Sequence, residues 1–238
     1  MTSDPDRLPP DVAGDPRVAL ALRLAEDAGR RAVAGQWETA VRWKGPGDRV
    51  TEMDLRMQAE IVSAIRSRFP ADAIVAEEDE PRCAADREFA WVVDPLDGTS
   101  NYALGIPCFA VSLGIFRHGE PYAGVIHDPN TGFRCCGLRG HGAFSAGRRL
   151  GLTPRALGSA SNVCVRVPLE PDLEPLVSTI LLEAGGRVTS PEGGPLFPFD
   201  VVSYRGAAVP FLAGNPLAHA AAAGSYRALV EPVRSREW

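Results

Sequence analysis

The sequence predicts an α+β protein in which helices pack on mixed sheets. Three observations carry that prediction. Apolar residues recur at helical spacing in two N-terminal segments, through Val18, Leu22, Ala25 and Ala28, and then through Met57, Ile61 and Ile65. A succession of short apolar runs between Trp91 and Ser145 then reads as strands. Helical signals return after residue 170, where Asp172, Pro175 and Gly185-Gly186 mark a start and a stop.

Taken in order, residues 1 to 14 are rich in Pro and Asp and read as a loose tail. Asp15-Pro16 supplies an N-cap and a first-turn proline for a helix running to about Gly35. Val41 to Lys44 reads as a short strand, and Gly45-Pro46-Gly47 as a turn or flap. Thr51 starts the second helix, which Phe69-Pro70 stops. Trp91 to Val93 is a strand expected to end at Asp94-Pro95, because proline cannot continue a hydrogen-bond ladder. Phe109 to Phe116 and Ala123 to Asp128 are strands joined at His118 to Pro121, and Phe133 to Gly137 and Gly142 to Ser145 continue the sheet. Asp172 to Gly186 reads as a helix, Val209 to Ala213 as a strand, and Asn215-Pro216 as the start of a last helix.

A length of 238 residues suffices for one large domain or two closely packed lobes. The formal charge of −5, without a basic stripe, gives no reason to expect a nucleic acid partner. No apolar run approaches a membrane span, and MTSDPDRLPPD lacks the features of a signal peptide, so the expectation is a cytoplasmic protein without a membrane partner. Cysteines 83, 108, 135, 136 and 164 form no CxxC pair and read as buried thiols. The four histidines are scattered and read as surface or sheet residues.

The stretch WVVDPLDGTSNYALGIPCF organises the chain. Its apolar strand delivers Asp94 at the tip, and an acid there is costly to bury unless paired or bound to a cation. Asp97 follows, then Gly98, Thr99, Ser100 and Asn101, small and capping residues suited to opening a helical turn whose amides face an anion. Upstream, Ala76-Glu77-Glu78-Asp79-Glu80 adds acids that otherwise read as a solvated loop. Thr51-x-x-Asp54 is a capping box by pattern.

DPLDGTSN, the Glu77-Glu78 pair and Gly47-Asp48-Arg49-Val50-Thr51-Glu52-Met53-Asp54 together resemble, in order and spacing, the motifs of the inositol monophosphatase family. The resemblance is close over residues 15 to 150 and fragmentary beyond. It implies an α-β-α-β-α sandwich: a tail at 1–14, a lobe at 15–150 carrying the metal site, and a C-terminal lobe at 151–238 shortened by several tens of residues. It also implies a phosphomonoesterase using two or three Mg2+ ions to activate water against a small phosphorylated polyol or sugar, in a homodimer. Metal ligands would be Glu77, Asp94, the Leu96 carbonyl and Asp97. Thr99 would orient the water with Thr51 and Asp54 behind it, and Glu77 would take part in the catalysis. Asp97, Gly98, Thr99, Ser100 and Lys44, the only lysine, would bind substrate. The family's last ligand is an Asp opening the helix that ends in Glu-Ala-Gly-Gly. Counting back from Glu183 lands on Leu173, so Asp172 is the expected replacement, with Glu174 behind it and a plain N-cap as the alternative. Histidinol-phosphate, fructose 1,6-bisphosphate and 3'-phosphoadenosine 5'-phosphate are rival substrates. The rival of another class is a member that binds a phosphorylated ligand without turnover.

Overall fold

The computed structural model describes residues 8–37, 41–45, 48–76, 87–152, 163–166, 178–200 and 209–234, with backbone alone at 41–45, 48–50, 163–166 and 227–234. Pro10–Gly14, within the stretch expected to be loose, forms the one-turn helix α1, because Val12 is fully buried against the core. Asp15 then caps α2 (Pro16–Gly35), its carboxylate accepting from the amides of Arg17 at 2.9 Å and Val18 at 3.0 Å. The hairpin β1 (Val41–Gly45) and β2 (Asp48–Thr51) leads into α3 (Glu52–Arg68), whose buried stripe includes Met57, Ile61 and Ile65 as the periodicity predicts.

A seven-stranded sheet takes the order β3 (Ala73–Ala76), β4 (Phe89–Asp97), β5 (Ala110–Arg117), β6 (Glu120–Asp128), β7 (Phe133–Leu138), β8 (Gly142–Ser145) and β9 (Arg148–Arg149). Only β3 and β4 run parallel. Alternation along β4 sends Trp91 and Val93 into the core shared with α2 and α3, and Ala90 and Val92 to the opposite face, where Phe116, Phe197 and Phe199 pack. Trp91 is anchored by its indole N–H, which donates to Asp72 at 2.8 Å, while Arg17 grips the same carboxylate with two further bonds of 2.8 Å. That Arg17–Asp72–Trp91 group joins the first turn of α2 to β4 and to the residue just before β3.

Helix α5 (Thr179–Glu183) lies between this sheet and a three-stranded one of order β10 (Val163–Arg166), β12 (Phe211–Gly214) and β11 (Arg187–Thr189). Phe211 and Ala213 pack toward Leu181 and Leu182 of α5, and α6 (Pro216–Arg234) covers β12. The layers thus alternate helix, sheet, helix, sheet, helix, as expected. Residues 167–177, with the proposed helix start at Asp172, lie outside the described residues; the helical part that is described begins at Thr179 and stops at Gly185, whose φ of +88° marks a left-handed turn. The Glu183 carboxylate accepts from the amides of Gly140 (3.0 Å) and Gly142 (2.8 Å), so this acid clasps the β7–β8 turn.

Candidate active site

The strand carrying Asp94 does not stop at Pro95. It continues to Asp97 through a bulge: Asp94 pairs with Ser112 and Asp97 with Ala110, so the span 94–97 faces only 110–112. Proline is accommodated because it sits inside the bulge, where no ladder amide is required of it. The extra residue also bends the chain. Leu96 buries its side chain completely, and its amide donates to Asp94 Oδ1 at 3.1 Å.

Asp97 is exposed at the strand tip, and Gly98 turns the chain with φ +92° into α4 (Thr99–Ala103). Only glycine fits there on two counts. The left-handed backbone disfavours a side chain, and a Cβ would stand 2.8 Å from the Cys108 carbonyl oxygen. Asn101 holds that same carbonyl from its side-chain amide at 2.8 Å, closing the loop. Cys108 itself is exposed, unlike Cys135 and Cys136, because Ile106 to Cys108 run over the surface between α4 and β5.

Thr51 and Asp54 form the capping box that their spacing predicts, each side chain bonding the other's backbone. The Thr51 amide donates to Asp54 Oδ2 at 2.8 Å and the Thr51 hydroxyl donates to the same oxygen. Asp54 Oδ1 is left to accept the Thr99 hydroxyl at 2.9 Å. The Leu96 carbonyl is also in reach of that hydroxyl, at 3.0 Å. Asp54 is fully buried, and burial raises its pKa against the lowering effect of the Thr51 and Thr99 hydrogen bonds. The same carboxylate therefore caps α3 and holds the Thr99 hydroxyl.

The structure brings together Thr51, Asp54, Asp94, Leu96, Asp97, Gly98 and Thr99 on the bulge, α3 and α4. Ser100 is exposed on α4. Lys44 lies on β1, of which only the backbone is described, and Glu77, Asp172 and Glu174 lie outside the described residues. Among the described residues no three His, Cys, Asp or Glu side chains gather into a metal-binding group. The donors that are described, two carboxylates and the Leu96 carbonyl, are hard oxygens of the kind Mg2+ takes, so they fit that ion as part of a set. Unforeseen from the sequence were Gln36 and Tyr102, which tie α4 to α2; the aromatic directly after DGTSN was the one signal available for them.

A model of the inositol monophosphatase family matches residues 16–170. Nus factor SuhB of Vibrio cholerae is 36% identical over 143 residues, 58% of this chain and 53% of that protein. Inositol monophosphatase 2 of Rattus norvegicus is 38% identical over 136 residues, 56% of this chain and 46% of that one. The chain thus spans about half the length of these curated relatives. The solved IMPase of Thermotoga maritima superposes with a TM-score of 0.73 at 25% identity, across 91% of this chain and 99% of that one. A family match over more than half of the sequence, on a fold that superposes nearly end to end on a solved IMPase, shows that this chain belongs to the inositol monophosphatase family.

Proposed function

We propose that the chain is a Mg2+-dependent phosphomonoesterase that hydrolyses a small phosphorylated polyol or sugar by direct attack of water. The observation that carries this reading is the hydrogen-bonded chain Thr51–Asp54–Thr99, which meets Asp94 and the Leu96 carbonyl at one bulge. Asp94, Leu96, Asp97 and Glu77 would hold the metal. Bound there, Mg2+ would lower the pKa of water and offset the phosphoryl charge. The polarity of the Thr99 hydroxyl follows from its partners. Donating its one proton to Asp54, it keeps its oxygen lone pairs free to accept from a water and so to aim that water's own lone pair at phosphorus. Asp54 can play this part because Thr51 saturates its other oxygen.

A phosphate-release screen over phosphomonoesters, with and without Mg2+, tests the reading. Release from at least one polyol or sugar phosphate, abolished by chelation, is the expected result. The substrate range should be broad if the C-terminal lobe is as reduced as the sequence suggests, since fewer polar walls reject fewer leaving groups. A second reading rests on the relative named a Nus factor: a partner-binding role without turnover. It would be favoured by Mg2+ binding that persists with no phosphate release from any ester.

A further inference from the structure

We infer that the C-terminal end of α2 sets the position of Thr99 through a reciprocal clasp with α4, which makes Tyr102 and Gln36 positioning residues; this rests on the phosphatase reading above. Helix α4 has five residues, too few to hold its shape alone. Thr99 is its first residue, and the Tyr102 amide closes its turn onto the Gly98 carbonyl at 3.0 Å. Tyr102 is buried, and its hydroxyl donates 3.0 Å to the carbonyl of Ala32. Ala32 lies in the last turn of α2, so the bond reaches the C-terminal end of that helix.

In return Gln36, the C-cap of α2, donates its side-chain amide to the Tyr102 carbonyl at 3.3 Å. Each helix end caps the other. Trp37 adds a third contact, for its ring lies against Gly105, where a Cβ would come within 2.3 Å of the indole. On the other side Phe109 meets the Tyr102 ring edge-on at 5.1 Å. Helix α2 contributes none of the acids of the site, yet it determines where the first turn of α4 stands. Since small displacements of an orienting group cost rate steeply, the clasp acts on turnover through Thr99.

The test pairs kinetics with hydrogen exchange on the full chain. Tyr102→Phe keeps the ring and removes the bond to Ala32; Gln36→Met removes the return bond at similar size. Each should lower kcat about tenfold with KM changed less than about twofold. In a Thr99→Val background neither should lower kcat further, because the group they position is gone. The amides of residues 102 to 105 should exchange roughly tenfold faster in both variants, while those of Met53 and Asp54 keep their protection. An equal kcat loss in both backgrounds, no kcat loss at all, or unchanged exchange at residues 102 to 105 overturns the inference. If the wild-type chain releases no phosphate from any ester, the phosphatase reading fails separately, and the exchange measurement decides the clasp.

Discussion

The hydroxyl of Thr99 reaches Asp54 Oδ1 at 2.9 Å, joining the first residue of one helix to the third of another 45 positions earlier. The proposed orientation of water by Thr99 depends on the direction of that bond. Asp54→Asn would place an amide N–H2 or a carbonyl at this point, and an N–H2 facing Thr99 reverses the bond and sends the Thr99 proton to the Leu96 carbonyl. We expect kcat to fall about 10- to 100-fold and the Mg2+ requirement to rise, since that carbonyl is then engaged. Initial rates against Mg2+ concentration check both. Thr99→Ser should retain most of the activity and Thr99→Val should not.

Gly98→Ala should disable the loop without touching a ligand. A methyl group there meets both an unfavourable φ of +92° and the Cys108 carbonyl at 2.8 Å. The expected loss is about 1–3 kcal/mol of stability. Thermal unfolding measured beside phosphate release checks it, and an unchanged Tm would contradict the close approach.

Asp172 is proposed as the replacement for the family's last aspartate ligand. Asparagine caps a helix about as well as aspartate, so Asp172→Asn is silent if the residue is a cap. If it is a ligand, the Mg2+ concentration for half-maximal rate should rise by about tenfold or more. A titration of activity with Mg2+ separates the two.

Two buried histidines should make the fold acid-sensitive. Burial lowers the pKa of His127, which lies against Gly29 of α2 with Glu26, Asp128 and Arg134 around it, and burial lowers that of His219 beside Arg187. A histidine depressed in the folded state binds its proton more readily when unfolded. Stability is therefore complete above the ordinary value of 6.5 and is lost as pH falls below it toward the folded-state pKa. In His127→Gln the drop in Tm between about pH 7.5 and about pH 5.5 should be smaller by a few degrees. An equal drop would show that His127 titrates without cost.

Local chemistry was legible in the sequence, and tertiary pairing was not. Thr51-x-x-Asp54 announced its capping box because both partners lie within one helical turn. The stripe through Met57, Ile61 and Ile65 announced its buried face for the same reason. Pro95 misled, since a proline ends a regular ladder but not a bulged one, and whether β5 would accept the extra residue depended on a partner some fifteen positions away. The bond from Tyr102 to Ala32 spans 70 positions and leaves no local trace. Nor does the grip of Glu183 on Gly140 and Gly142, although Glu183 itself stood out as a family landmark.

The most direct measurement is phosphate release from the best ester of the panel, by the wild-type chain and by Asp94→Asn, across a Mg2+ titration. Asparagine keeps the shape at the bulge and can still accept from the Leu96 amide, so the fold should stand while the charge is lost. Mg2+-dependent turnover is expected in the wild type, with a loss of about hundredfold or more in the variant at every Mg2+ concentration. Near wild-type turnover in Asp94→Asn, or wild-type turnover indifferent to Mg2+, would contradict that expectation.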